Sequence, residues 1–257
     1  MLKVYQRVLY VDIDIHHGDG VEEAFYLTDR VMTCSFHKFK DYFPGTGHID
    51  DIGKDHGAYH AINFPLDEGL DDDSFLLIFE KVIDKILEHF RPDAILLQGG
   101  TDSLSGDRLG CFNLSVKGHG AAAAYLKTKN IPTLLVGGGG YTLRNVPRCW
   151  TYETSVICGV DLPNEIPNND YSIYFAPEYK IHMPVSNMEN QNSEAYLNKT
   201  IEQILKNLDH VNRPGVQMDI NGQKQPVKIH VSEVIREKRD LWENANQDKS
   251  NDKPDPS

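Results

Sequence analysis

The chain has 257 residues, of which 40% are hydrophobic and 25% charged, and this composition excludes a disordered chain, a collagen-like chain and a disulfide scaffold. Its formal net charge of −12 disfavours direct binding to nucleic acid or to an anionic membrane surface, and it suits basic partners. The four cysteines show no CxxC spacing and predict thiols in a reducing, intracellular compartment.

Strand-like and helix-like segments alternate over the first 160 residues. Apolar, β-branched runs predict strands at 7–15, 31–36, 94–97 and 133–136, the last two fully buried. Apolar residues at helical spacing predict a helix at 75–90, and an amphipathic pattern predicts one at 193–208. Acidic residues near its start favour a short helix at 20–26, and a run of four alanines favours one at 116–127. Continuous apolar strands between helices favour an α/β fold with an open, mostly parallel sheet and helices on both faces. The polar end of the chain, residues 219–257, predicts a disordered tail with at most a short helix at 232–242.

Three polar or glycine-rich clusters follow predicted strands. They are residues 12–20 (DIDIHHGDG), 98–109 (QGGTDSLSGDRL) and 137–141 (GGGGY). Open parallel sheets bind their ligands beyond the carboxyl ends of the strands. The sequence therefore predicts a functional site built from these three clusters.

The first cluster concentrates negative charge at a strand end. Side chains alternate along a strand, so Asp12, Asp14 and His16 project to the same side. Carboxylates that converge in this way need a positive charge among them, and a divalent metal supplies it. One Asp and one His from here, with Asp102 from the second cluster, would suit zinc with an open position. In the alternative interpretation, the acids only cap turns and the histidines pack in the core.

The four-glycine run admits two interpretations. A phosphate-binding loop is disfavoured because no Lys-Ser or Lys-Thr pair follows. Glycines also let the backbone approach a ligand closely, which would hold Tyr141 at the mouth of the site. A tyrosine hydroxyl there can donate to a developing oxyanion. The alternative is that Tyr141 packs like any other of the twelve tyrosines.

These clusters, together with the FPGTG turn at 43–47 and the Asn-Gln-Asn motif at 190–192, resemble class I histone deacetylases of the arginase/deacetylase superfamily. The resemblance runs from about residue 6 to residue 218. It implies that residues 1–218 are the carboxyl-terminal part of the catalytic domain, with a sheet that is incomplete at its amino-terminal side. A polyamine deacetylase is disfavoured because the RLGCF string at 108–112 and the Asn-Gln-Asn motif follow the histone enzymes.

The resemblance assigns roles to individual residues. It implies zinc ligands at Asp14, His16 and Asp102, a catalytic tyrosine at Tyr141 that polarises the acetyl carbonyl, and tunnel residues at Phe43, Leu109 and Gly139. It also implies a potassium site formed by Asp12 and Ser35 with the backbone of Asp14, His16 and Phe36. Asp12 and Asp19 match the acidic partners of a general-base histidine pair, and Arg108 and Arg144 match residues that bind an inositol phosphate.

The implied activity is zinc-dependent hydrolysis of N-acetyl-lysine on histones and other proteins, which gives acetate and free lysine. The implied setting is transcriptional repression and chromatin regulation in the nucleus, and also the cytoplasm, with acetylated histone tails and corepressor subunits as partners. The family's general-base histidines have no counterpart here, because the only His-His pair is His16–His17. We therefore expect weak or absent turnover by this chain alone. The alternative is a truncated, catalytically inactive paralogue or fragment that acts as a corepressor and inositol phosphate binding module.

Overall fold

A computed structural model of the chain describes residues 1–211. The strands are β1 (Val8–Asp12), β2 (Val31–Lys38), β3 (Ala61–Leu66), β4 (Ala94–Gly99) and β5 (Thr133–Gly137). The helices are α1 (Asp19–Phe25), α2 (Asp72–His89), α3 (Val116–Thr128), α4 (Asn145–Cys158) and α5 (Glu194–Leu208). Short 3₁₀ turns occur at Asp55–Gly57, Thr101–Ser103 and Ser172–Phe175.

The five strands form one open sheet in the order β3-β2-β1-β4-β5, and all neighbouring strands are parallel. The β1–α1–β2 connection runs toward one edge, whereas β3–α2–β4 and β4–α3–β5 run toward the other. Because such crossovers are right-handed, α1 lies on the face opposite to α2 and α3. The predicted α/β class, with helices on both faces, is confirmed. The topology also places β1 and β4 side by side at the centre, so that the chain segments that follow them meet.

The long helix α2 shows how local sequence fixes an element. The Ser74 amide donates to Asp71 Oδ1 at 2.9 Å, and this capping bond starts the helix. Apolar residues at helical spacing, from Phe75 to Ile86, form its buried face against the sheet. None of the helices within residues 1–211 is long and apolar enough to span a membrane.

Two elements were absent from the sequence-based prediction. The strand β3 carries Asn63 and Pro65, which obscure an apolar strand pattern, and Pro65 is tolerated because β3 is an edge strand. The helix α4 contains Pro147 near its start, where helix N–H groups have no intrahelical partner to lose.

The expectation of a buried strand at 133–136 was wrong for β5. Thr133 and Leu134 are exposed, Leu134 by 47%, whereas β1, β2 and β3 are buried along almost their whole length. The reason is position: β5 forms the edge of the sheet, and within residues 1–211 no strand pairs with its outer side. An apolar run alone does not distinguish a central strand from an edge strand. The predicted boundary at residue 218, the tail 219–257 and the helix 232–242 lie outside the described residues.

Candidate metal centre

Three side chains that could bind a metal, the candidate ligands, meet at the carboxyl ends of β1 and β4. Asp14 and His16 follow β1, and Asp102 lies in the 3₁₀ turn that follows β4. His16 Nδ1 is 3.0 Å from Asp14 Oδ1 and 3.0 Å from Asp102 Oδ2. One ligand atom from each residue lies within 4.8 Å of the others. The structure thus brings together the three residues that the sequence predicts as ligands.

Backbone and side-chain donors hold both carboxylates in place. Asp14 Oδ2 accepts hydrogen bonds from Gln98 Nε2 at 3.1 Å and from the Gly139 amide at 2.8 Å. Asp102 Oδ1 accepts one from the Ile15 amide at 3.0 Å. In each carboxylate, one oxygen accepts these orienting hydrogen bonds and the other oxygen faces His16 Nδ1.

The electrostatics of this cluster call for a cation. Burial raises the pKa of Asp102, and the charge of Asp14 adds to the rise. Burial also opposes the ionisation of Asp14, but hydrogen bonds, first from His16 and then from Gln98 and Gly139, hold its pKa below the usual range. Hydrogen bonds with Asp102 and Asp14 raise the pKa of His16 to about 10. A proton on His16 thus supplies the positive charge that a divalent metal would supply instead, and two carboxylates with one imidazole form a donor set that fits zinc.

Aromatic rings surround His16 at the open side of the cluster. The ring centroid of Tyr42 is 5.2 Å from that of His16, and those of Phe43 and Tyr141 are 6.0 Å and 6.1 Å away. Phe43 is 77% exposed and Tyr141 is 37% exposed. The Tyr42 hydroxyl donates to the carbonyl of Leu109, whose side chain is also exposed. The predicted tunnel residues Phe43 and Leu109 therefore lie at the mouth of the site.

The backbone of Gly139 lies so close to Asp14 and Asp102 that no side chain would fit at this position. Its amide binds Asp14, and a Cβ built at this position would collide with the carboxylate of Asp102. The absence of a side chain is therefore needed for close packing around the three ligands.

Asp107 fixes the backbone on both sides of the mouth. Its Oδ2 accepts hydrogen bonds from the amides of Tyr141 and Thr142, at 2.8 Å and 3.0 Å. Its Oδ1 accepts bonds from the amides of Leu109 and Gly110, at 2.9 Å and 3.0 Å. Sequence reasoning assigned no role to Asp107, Gln98 or Tyr42. The one available signal for Asp107 and Gln98 was their position in a cluster that follows a strand, and the one for Tyr42 was its place directly before the FPGTG turn.

Asp12 and Ser35 are buried beside the three candidate ligands but do not belong to that group. Asp12 accepts hydrogen bonds from the Tyr10 hydroxyl at 2.6 Å and from the Asp14 amide at 3.1 Å. Burial, with added repulsion from Asp14 and Asp102, raises the pKa of Asp12 to about 8. Asp19, in contrast, is exposed at the start of α1, where it accepts a bond from the Gly20 amide.

Arg108 and Arg144 lie on one surface next to the mouth. Both are exposed, and both line a hollow of about 630 Å³ to which Tyr141 and Tyr174 also contribute. The structure thus places the two predicted anion-binding arginines around a common space.

A second buried cluster was missed by the sequence analysis. His119 on α3 and Cys149 and Glu153 on α4 are all fully buried, with ligand atoms within 4.8 Å of one another. His119 Nδ1 is 2.6 Å from Glu153 Oε1. The signal was the spacing of Cys149 and Glu153, four residues apart and hence on one face of a helix.

Comparisons with known proteins agree with the geometry. The family model described as "Histone deacetylase domain" matches residues 1–157. The chain is 58% identical to Histone deacetylase 1 of Homo sapiens over 219 residues, which cover 85% of this chain and 45% of that protein. It is 58% identical to Histone deacetylase HDAC1 of Drosophila melanogaster over 219 residues, 85% of this chain and 42% of that protein. It is 54% identical to Histone deacetylase 19 of Arabidopsis thaliana over 241 residues, 93% of this chain and 47% of that protein. The chain thus spans less than half the length of these relatives.

Proposed function

The chain belongs to the histone deacetylase family, and from this premise we propose that it serves the zinc-dependent hydrolysis of N-acetyl-lysine on histones and other proteins. The observation that carries the proposal is the convergence of His16 Nδ1 with one oxygen each of Asp14 and Asp102. These three residues would hold zinc. When bound, zinc polarises the amide carbonyl and lowers the pKa of water, so that hydrolysis proceeds near neutral pH.

Tyr141 is the proposed hydrogen-bond donor to the amide oxygen. Burial, with the charges of Asp102, Asp14 and Asp107, raises the pKa of its hydroxyl, which therefore stays protonated and able to donate at neutral pH. The backbone bonds to Asp107 fix where this side chain begins. Phe43, Leu109 and Gly139 would guide the acetyl-lysine chain toward Tyr141.

A potassium ion at Asp12 and Ser35, with backbone oxygens of Asp14, His16 and Phe36, is part of the proposal. Its support is electrostatic. Asp12 is 1% exposed, and its pKa of about 8 reflects the cost of placing a charge there. A monovalent cation would offset that cost and the repulsion from Asp14.

The general base is the missing part of this proposal. His17 follows the ligand His16, but its ring nitrogens lie 2.8 Å from Thr46 Oγ1 and 3.0 Å from Glu22 Oε2. Both nitrogens are thus engaged away from the three ligands. We propose that Asp12 and Asp19 serve as partners of histidines that this sequence does not supply, and that the chain alone hydrolyses acetyl-lysine weakly or not at all.

A second proposed function is based on the hollow lined by Arg108 and Arg144. Arg108 and Arg144 are exposed and converge on one space, which favours binding of a polyanion such as an inositol phosphate together with a corepressor subunit. In this proposal the chain acts as a binding module in a nuclear, and also cytoplasmic, regulator of transcription and chromatin. Inositol hexakisphosphate binding measured by calorimetry should weaken in an Arg108→Ala, Arg144→Ala double variant and not in Arg91→Ala. Equal binding by all three proteins would refute the assignment.

The first experiment counts zinc on the purified 257-residue chain. We expect about one zinc per chain, and its loss in Asp102→Ala but not in His56→Ala, which removes an exposed histidine. Turnover of an acetyl-lysine peptide is measured in parallel. Zinc without turnover supports a bound metal that lacks its base, whereas turnover near that of a full-length relative would contradict the predicted weakness. A folded chain that binds no zinc would refute the site.

A further inference from the structure

His119 and Glu153 form a buried pair directly behind the turn that carries Asp102. Both are 0% exposed. His119 Nε2 lies 2.9 Å from the carbonyl oxygen of Gly100, and His119 Nδ1 lies 2.6 Å from Glu153 Oε1. A carbonyl oxygen only accepts, so Nε2 must carry a proton and donate it to Gly100. The remaining proton is shared between Nδ1 and Glu153.

This arrangement leaves His119 with no nitrogen available to a metal. One nitrogen donates to the backbone, and the other is bonded to the carboxylate. The cluster of His119, Cys149 and Glu153 is therefore better explained as a structural pair than as a second metal site. Burying two ionisable groups is costly, and here Glu153 bonds His119 while His119 bonds a peptide group beside the candidate ligands.

The held peptide is the junction between β4 and the ligand Asp102. Trp150 Nε1 donates to the carbonyl of the preceding residue, Gly99, at 2.8 Å. On the opposite side, the Gly100 amide donates to Gln98 Oε1 at 2.6 Å, and Gln98 Nε2 donates to Asp14 at 3.1 Å. A shift of Gly100 would therefore move Asp102 directly and would disturb Asp14 through Gln98.

We propose that His119, oriented by Glu153, is a positioning residue that fixes the Gly100 carbonyl and thereby the place of Asp102; the inference rests on the proposed zinc site. Leucine at position 119 removes the donor but keeps an apolar side chain in the core. Glutamine keeps an N–H group that can take the place of the Nε2 donor.

The test compares His119→Leu, His119→Gln and Leu126→Ala in the full chain. Leu126 is 0% exposed on the same helix, two turns further along, and its truncation controls for loss of packing. Zinc affinity is measured by chelator competition, and site geometry by the visible absorption of bound Co²⁺. We expect His119→Leu to weaken zinc binding about tenfold or more and to change the Co²⁺ spectrum, as loss of a group that orients a ligand does. His119→Gln should recover most of the affinity, and Leu126→Ala should lower the melting temperature without either effect.

Amide hydrogen exchange of the metal-free chain separates this inference from the zinc proposal. The Ile15 amide, which donates to Asp102, and the Thr101 amide, which donates to the Gly139 carbonyl, should exchange faster in His119→Leu than in Leu126→Ala. If the parent chain bound no zinc, the zinc proposal would fail while the exchange result would still decide the role of His119. Unchanged exchange and unchanged affinity in a folded His119→Leu variant would overturn the inference.

Discussion

At the scale of single residues, Asp107 offers a sharp test because its carboxylate accepts four backbone amides. Asparagine has one accepting oxygen, and its NH₂ group would face two N–H donors. We expect Asp107→Asn to lower the free energy of unfolding by about 2 kcal/mol, the cost of leaving such donors without partners. Urea denaturation measures the effect, and Asp161→Asn, at an exposed aspartate, is the control. A change no larger than that of the control would contradict this role.

Asp71 predicts a dependence of stability on pH. Burial opposes its ionisation, but hydrogen bonds from the Ser74 amide and hydroxyl and from Asn190 outweigh burial and lower its pKa. A lowered folded-state pKa stabilises the protein above the unfolded-state value of about 3.9, and the benefit disappears as the pH falls through the folded-state pKa.

The loss caused by Asp71→Ala should therefore be larger at pH 7, at about 1 kcal/mol for a capping residue, than at pH 3.5. Urea titrations of the parent and the variant at both pH values measure it. Asp71→Ser keeps a capping oxygen without a charge, so its stability relative to alanine should depend little on pH. A cost for Asp71→Ala that grew as the pH fell would reverse the sign and refute the assignment.

Two simple rules predict a cation site formed by the cluster at 12–20 together with Asp102, and the resemblance to the family then selects Asp14 and His16 within that cluster. Parallel strands place their carboxyl ends together, and converging carboxylates require a positive charge. The residues that orient the ligands could not be predicted in the same way. His119 lies 19 residues from Gly100, and Glu153 lies 34 residues from His119, so only the tertiary fold brings them together. The Asn-Gln-Asn motif is similar: Asn192 binds both backbone groups of Asp67, 125 residues away.

At the scale of elements, the loop after β5 is constrained by its contacts with Asp14 and Asp102. Alanine at Gly139 would push a methyl group into the Asp102 carboxylate. We therefore expect Gly139→Ala to weaken zinc binding at least tenfold with a modest loss of stability. Gly20→Ala is the matched control, because a Cβ at position 20 meets nothing within 4 Å and alanine favours the helix α1. Chelator competition distinguishes the two, and equal zinc affinity would count against the contact.

Two elements show when an apolar sequence pattern is sufficient to predict secondary structure and when it is not. The helix α2 was predicted to within a few residues because its buried face repeats at helical spacing behind a capping aspartate. The strand β3 was not predicted because Pro65 disfavours a strand unless it lies at an edge, and among residues 1–211 no strand pairs with the outer side of β3. Whether a strand lies at the edge or in the centre depends on the assembled sheet, and no local sequence pattern encodes it.

At the scale of the whole molecule, the two edges of the sheet differ. The residues of β3 are buried, whereas β5 exposes Leu134 beside an edge that no strand pairs with in residues 1–211. Unpaired apolar edges promote association between chains. We expect concentration-dependent association of the purified chain, measurable by sedimentation velocity, and its reduction by Leu134→Lys. Leu77→Lys, at a 43% exposed leucine on α2, should have no comparable effect. Equal association of both variants would exclude β5 as the cause.

The central position of β1 also suggests an order in which the site forms during folding. β1 pairs with β2, which follows it closely in the chain, whereas its other partner β4 lies beyond β2, β3 and α2. Asp14 and His16 arrive with β1, whereas Asp102 lies 86 residues beyond His16 and arrives only when β4 docks. Contacts between residues far apart in the sequence form more slowly than local ones. We therefore expect a partly folded chain to present Asp14 and His16 to a cation before Asp102 joins them. A cation bound to Asp14, His16 and Asp102 would therefore stabilise the completed sheet. Its removal should loosen the pairing of β1 with β4 before the pairing of β1 with β2.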